Sequence, residues 1–278
     1  MIITIASGKG GTGKTTVSTN LALSLGSGVQ LLDCDVEQPN AHVFIQPNFE
    51  WSETAMVPVP EVIMDNCTLC SECCEICQFN AIVVAGETVL PFEQLCHSCG
   101  GCIAVCPANA IVEKGRELGV VQKGQSSGLD FIHGRLRVGE AMSPPLIKKV
   151  LSFAKPERIN IVDAPPGTSC PVIETMKIAD CIILVTEPTA FGLHDLKLAV
   201  GAAEILGVPC GLVINCSDLG DNRVKEYAEA HSLPVLLEIP FDRRIAEAYS
   251  RGDTLIAVMP EWKDKFLKLY EHACALAN

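Results

Sequence analysis

Two runs of cysteines with identical spacing constrain this chain more than any other feature. Cys67, Cys70, Cys73 and Cys77 recur 29 residues later as Cys96, Cys99, Cys102 and Cys106, and the repeat carries Asn80-Ala81-Ile82 onto Asn109-Ala110-Ile111. Each run reads C-x2-C-x2-C-x3-C. Thiolates are the soft ligands that iron–sulfur clusters need, and this spacing lets one short loop wrap three corners of a cube. Zinc and disulfides are the alternatives. Zinc sites usually pair two C-x2-C knuckles across a longer gap and do not repeat as four-cysteine runs. Disulfides need an oxidising compartment, and no secretory segment is visible.

Over about residues 58–114 the repeat resembles the two-cluster bacterial ferredoxins. The resemblance implies two [4Fe–4S] clusters that exchange their fourth ligands. Cys67, Cys70, Cys73 and Cys106 would hold one, and Cys96, Cys99, Cys102 and Cys77 the other. There is one departure: Pro107 follows Cys106 as the pattern expects, whereas Gln78 follows Cys77. Cys74 falls between ligand positions, matches Ile103 in the second copy, and reads as a small buried filler.

A second motif opens the chain. Ile2-Ile3-Thr4-Ile5-Ala6 is a mostly apolar run, followed by Gly8-Lys9-Gly10-Gly11-Thr12-Gly13-Lys14-Thr15. This is G-x-x-x-x-G-K-[ST] in its required setting, after a strand and opening a helix. Glycines there let backbone N–H groups face phosphates, and the helix N-terminus adds a dipole favourable to the anion. The pattern predicts that Lys14 reaches the β- and γ-phosphates and that the Thr15 hydroxyl coordinates Mg²⁺. Thr16 is counted with the nucleotide contacts, and an amphipathic helix is expected from Val17 to Leu25.

Lys9 makes the loop K-G-G-x-G-K-[ST], which resembles the deviant Walker-A ATPases, the group containing MinD, ParA, Mrp-type proteins and the nitrogenase iron protein. The resemblance implies ATP hydrolysis in a nucleotide-dependent homodimer, or a heterodimer with a related ATPase, in which Lys9 reaches across to the partner's phosphates. A solvated loop lysine is the plainer reading of the same residue. Val29 to Leu32 is a largely apolar run ending in Asp33-Cys34-Asp35, then Gln38-Pro39-Asn40, similar to the family's switch I. By that similarity Asp35 orients the attacking water and Asp33 supports the geometry; capping of the next turn is the alternative for either. Ile159-Asn160-Ile161-Val162 leads to Asp163-Ala164-Pro165-Pro166-Gly167, which resembles switch II and implies Asp163 beside Mg²⁺ and Gly167 near the γ-phosphate.

Strand-like runs at Cys181 to Thr186, Val208 to Ile214 and Val235 to Ile239 alternate with helical patterns at His194 to Leu206 and Arg223 to His231. The alternation predicts an α/β fold, a P-loop NTPase with a mostly parallel doubly wound sheet, whose ligands sit at the carboxyl ends of the strands. Asn215 resembles the adenine-reading residue of the family, and Pro240-Phe241-Asp242 the segment that closes over the base; both are also ordinary strand-end punctuation. The expected domains are a discontinuous ATPase, residues 1–57 and 115–278, and a small inserted α+β ferredoxin-like domain, residues 58–114. Residues 36–57 and 115–142 lead into and out of the insert, with Gly134 to Glu140 as paired strand and turn and a helix after Ser143-Pro144-Pro145. This order resembles the MinD-superfamily ATPases that carry an inserted ferredoxin domain.

Composition sets outer limits. Hydrophobic residues make up 48% of 278, enough for a sizeable core, and 5% aromatics suits an aliphatic parallel sheet. A net charge of −12 argues against a nucleic-acid surface. No apolar stretch is long enough to span a bilayer, so no stable membrane insertion is expected, and fifteen cysteines fit a reducing cytoplasm. Trp262, Phe266, Leu269 and Tyr270 lie at helical spacing and are expected to pack on the domain. Cys170 lies seven residues past Asp163, where the nitrogenase iron protein also carries a cysteine; a small residue lining switch II is the reading adopted. The leading expectation is an ATPase whose dimer switch is coupled to electron transfer through two clusters, with a redox partner protein. An iron–sulfur assembly or carrier ATPase and a MinD-like spatial-organising ATPase with structural or sensory clusters are the rivals.

Overall fold

The computed structural model describes residues 1–277. In chain order the elements are β1 (Ile2–Ala6), α1 (Lys14–Leu25), β2 (Val29–Asp33), α2 (Ala41–Ile45), β3 (Asn48–Val62), α3 (Glu72–Ile76), β4 (Ile82–Ala85) and β5 (Thr88–Pro91). Then come α4 (Gly101–Ala104), β6 (Ile111–Ser126), β7 (Leu129–Leu136), α5 (Pro144–Leu151), β8 (Ile159–Asp163), α6 (Cys170–Met176), β9 (Cys181–Thr186) and α7 (Ala190–Leu206). The chain ends in β10 (Cys210–Asn215), α8 (Arg223–Ala230), β11 (Val235–Ile239), α9 (Arg243–Arg251), α10 (Leu255–Val258) and α11 (Trp262–Ala277). Two units result: Met1–Glu53 with Val121–Arg135 and Leu146 onward, and Thr54–Val120 with Leu136–Pro145.

In the first unit the short apolar runs become strands buried on both faces in the middle of the sheet, as central parallel strands require, while β11 at the edge is half exposed. The sheet order is β11-β10-β9-β1-β8-β2-β7-β6-β3. Every pair from β11 across to β7 is parallel. Register sets Asp163 opposite both Ile5 and Asp33, so strand ends carrying polar residues line up at one edge. One face packs Ile3, Ile5, Leu31 and Ile161 against α1 and α11; the other packs Ile182, Leu184, Leu212 and Ile214 against α6, α7 and α8. Trp262, Phe266 and Leu269 are buried in that first layer, and each such side chain stabilises by roughly 1.5–3 kcal/mol. The terminal helix therefore packs on its own domain.

Two expectations change. The helix after the phosphate loop is present but not amphipathic: Lys14, Thr15, Ser18, Thr19 and Asn20 are buried along with Val17 and Leu21. Polar atoms of Ser18, Thr19 and Asn20 turn back on the helix, Thr19 Oγ1 donating to the Thr15 carbonyl at 2.6 Å and Asn20 Nδ2 to that of Thr16 at 2.7 Å. Residues 36–57 and 115–142 are not plain connectors, because they contribute the 15-residue β3 and the 16-residue β6. Pro58 and Pro60 disguised β3, yet proline is tolerated on an edge strand, and β3 ends the sheet. The Ser127-Gly128 turn, with φ of 50° and 84°, joins β6 to β7 as a tight hairpin.

The second unit holds the repeat. β4 and β5 pair antiparallel, and α3 and α4 each carry the third cysteine of their run, Cys73 and Cys102. The two copies fold alike residue for residue: Leu69 and Ser98 have φ of 55° and 56°, Asn80 and Asn109 of 51° and 49°. They also exchange backbone bonds, the Ile63 N–H donating to Ala110 and the Phe92 N–H to Ala81, both at 2.7 Å. A buried Arg116–Glu140 ion pair, with Glu140 also accepting from the Met142 N–H, ties Leu136–Pro145 into this unit.

Candidate nucleotide cleft and cysteine recesses

Six parallel strands, β1, β2, β8, β9, β10 and β11, end at one edge of the first unit, and residues at or just past their ends surround an open cleft of about 1250 Å³, its open mouth included. The phosphate loop forms its floor. Gly13 caps α1 in the left-handed region with φ of 92°, and a Cβ there would meet Asn215 Nδ2 at 2.5 Å, so only glycine lets loop and strand end meet. Asn215 Nδ2 donates to the Thr12 carbonyl at 3.0 Å. A Cβ on Gly8 would lie 2.3 Å from the Asp195 carbonyl, so α7 fixes the other side of the loop.

Lys14 is 7% exposed and sits among carboxylates, 2.9 Å from Asp163 Oδ1 and 3.9 Å from Asp35 Oδ2. Burial alone would lower its pKa, but Asp163 and Asp35 outweigh that and hold it above the ordinary lysine value. Burial, with Asp163 beside it, pushes Asp33 up to about 8; burial pushes Asp35 up to about 6 against the pull of Lys14. Asp33 accepts from the N–H groups of Asp35 and Ala41, each at 3.1 Å, so it braces the turn. Asp163 Oδ2 is buried and has no hydrogen-bond partner. An orphaned carboxylate oxygen beside the loop lysine has the chemistry of a Mg²⁺ position, since hard cations take oxygen ligands and waters.

The remaining expected contacts fall unevenly. Lys9, Gly10, Gly11, Thr15, Thr16 and Asp35 line the cleft, as do Asn215, Pro240 and Asp242. Gly167 does not, though its N–H donates to the Ser7 carbonyl at 2.9 Å. Lys9 Nζ lies 3.3 Å from Glu187 Oε2 within the chain rather than standing free. Asp242 caps α9 through the Arg244 N–H at 2.8 Å. Glu187 and Tyr249 also line the cleft and carry no sequence signal of their own; a polar residue just past β9 was the only hint for Glu187.

In the second unit the cysteines surround two recesses. Cys67, Cys70, Cys73 and Cys106 line a smaller one, and Cys77, Cys96, Cys99 and Cys102 line a larger one. Backbone N–H groups already point at sulfur: Ala81 to Cys77 Sγ and Ala110 to Cys106 Sγ at 3.3 Å, Ser98 to Cys96 Sγ at 3.4 Å. Among the described residues no three His, Cys, Asp or Glu side chains converge tightly enough for a single metal ion. Thiolates on a cubane stand further apart than those on one ion, so the recesses are the geometry to weigh. Cys74 lies 3.9 Å from Cys73 Sγ and lines neither recess; Cys170 is exposed at the start of α6.

The CobQ/CobB/MinD/ParA nucleotide binding domain family matches residues 3–256. The chain belongs to that family. It is accordingly a P-loop ATPase, with the α/β fold and largely parallel sheet of the group. The protein MJ0578 of Methanocaldococcus jannaschii is 35% identical over 279 residues, covering 98% of this chain and 97% of that protein. An iron–sulfur cluster carrier protein of Aquifex aeolicus is 25% identical over 284 residues, 94% of this chain and 63% of that protein. Among solved structures, the septum site-determining protein MinD of Pyrococcus horikoshii OT3, complexed with Mg-ADP, shares the fold at a TM-score of 0.60 with 20% identity, covering 98% of this chain and 94% of that one. In this family setting the cleft is the candidate nucleotide site. No helix among the described residues is long and apolar enough to cross a membrane.

Proposed function

We propose that this ATPase couples a nucleotide-dependent dimer switch to electron transfer through two [4Fe–4S] clusters held in the second unit. One observation carries the reading: each recess is lined by three cysteines of one run and the fourth of the other. That is the ligand exchange two-cluster ferredoxins use. The preset N–H···S bonds support it, because hydrogen bonds to sulfur tune bound clusters. The clusters, when bound, supply one-electron redox chemistry; the chain supplies thiolates, left-handed turns and amide donors.

In the cleft Lys14 holds the β- and γ-phosphates, Thr15 and Asp163 take Mg²⁺, and Asp35 orients the attacking water. A bound triphosphate replaces the carboxylate partners of Lys14, which frees Asp35 and Asp163 for these roles. Lys9 leaves Glu187 to reach the phosphates of the second subunit, and Asn215 and Asp242 flank the base. Switch I runs on in the chain into β3, which leads to the first cysteine run, so order in one propagates along the polypeptide to the other.

The test is anaerobic purification with iron and sulfide counts and electron paramagnetic resonance with and without ATP. Eight irons per chain, and a potential or partner affinity that differs between the ADP-bound and ATP-bound forms, are expected. An iron-free protein ends the reading, and nucleotide-blind clusters end the coupling. Replacing Asp35→Asn should block turnover and spare ATP binding. A carrier function is the second reading, favoured by the likeness to the Aquifex aeolicus protein of that name. Transfer of cluster to an apo-protein, at a rate ATP controls, would put it first.

A further inference from the structure

The two recesses are related by the repeat, so every difference between them is a difference at matched positions 29 residues apart. Leu69 and Ser98 are such a pair. Both sit between the first and second cysteines of their run, with the same left-handed backbone. Ser98 donates its N–H to Cys96 Sγ at 3.4 Å, and its hydroxyl is buried with no partner. Leu69 offers no hydroxyl. Counting amide donors to the ligand sulfurs among the described residues, the Cys96 recess has two, Ala81 and Ser98, and the Cys67 recess has one, Ala110. Both walls mix polar and apolar groups: His97, Ile76 and Phe79 line the larger recess, and Thr68, Ser71, Val84 and Val89 the smaller, but among the described residues neither Thr68 nor Ser71 has a buried hydroxyl without a partner, as Ser98 has.

Resting on the cluster reading above, we infer that the two sites are electronically unequal, with Ser98 tuning the Cys77/Cys96/Cys99/Cys102 site to the more positive reduction potential. Reduction adds one negative charge to a cluster already surrounded by four thiolates. Hydrogen bonds to sulfur and access to water stabilise that added charge. A hydroxyl that finds no partner within the protein is free to donate into the recess it lines. Glu113 stands where the other recess has Val84 and opposes the effect, but it is solvent-exposed, and water and salt screen it. An electron entering the pair therefore comes to rest on the Cys96 side.

Anaerobic spectroelectrochemical titration of the full-length protein, followed by paramagnetic resonance, tests this. Each wave is a [4Fe–4S]²⁺ cluster taking one electron from the electrode to become [4Fe–4S]⁺. Two resolved waves are expected. Ser98→Gly keeps the N–H and the left-handed backbone while removing the hydroxyl, and should move only the more positive wave to lower potential. Leu69→Ser adds the hydroxyl at the matched position and should move only the more negative wave upward. Iron and sulfide counts on each variant confirm that both clusters remain. Eight irons with coincident waves, or a Ser98→Gly shift confined to the more negative wave, overturn the inference and leave the cluster reading standing. An iron-free wild-type protein overturns both.

Discussion

The nucleotide cleft and the cysteine module both gather groups of like charge, and they do so by opposite means. The cleft draws on residues from Ser7 to Tyr249; buried Lys14 pairs with Asp163 and Asp35, and backbone N–H groups hold Asp33 beside them. The module takes all its candidate ligands from a stretch of 40 residues, aimed by local left-handed turns, with amide donors to three of the sulfurs. A site assembled by a sheet fails when the sheet's electrostatic balance fails. A site assembled by turns depends instead on what fills it.

Lys14→Ala should separate the two regions most sharply. It leaves Asp163, Asp33 and Asp35 without their cation, and breaking a buried pair this way costs about 3–5 kcal/mol. Titration calorimetry should show no ATP binding and a scan a lower Tm for the first unit, with iron content unchanged; loss of iron would mean the regions are not independent. Glu140→Gln is the counterpart in the module. It strands the buried Arg116 and should cost on the order of 3 kcal/mol locally, read as faster hydrogen exchange in Leu136–Pro145 with ATP affinity kept.

A smaller effect follows from pH. Burial, with Asp163 beside it, raises Asp33 to about 8 from an ordinary 3.8, so between those values the folded chain keeps a proton that the unfolded chain releases. The nucleotide-free protein should therefore lose stability as pH rises from about 4 to about 8, and Asp33→Asn should flatten the slope. A Tm that climbs over that interval would break the assignment. Least of all, Thr189→Ala removes the cap that accepts the Gly192 N–H at 2.9 Å and should cost about 1 kcal/mol, with little change at either site.

The fold was legible where patterns are local. Each short apolar run read as a strand is one, because a strand buried on both faces must be continuously apolar. The long strands β3 and β6 were not legible: charges, prolines and glycines are permitted where a strand lies near a sheet edge or faces solvent, and they mask its alternation. In the cleft the phosphate loop was legible from spacing alone, whereas Glu187 and Tyr249 reach it only through the ends of β9 and α9. The burial of α1 on nearly all sides was hidden because polar residues such as Ser18 and Thr19 donate to carbonyls of their own helix.

The amino-acid order by itself determined the phosphate loop, the cysteine repeat and the alternation of strand and helix, since each depends on contacts within a few residues. Only tertiary structure decided which carboxylate pairs with Lys14, that Lys9 rests on Glu187, and which four cysteines share a recess. Those outcomes depend on distances between residues far apart in the chain, which strand order and register set and which spacing along the polypeptide does not contain.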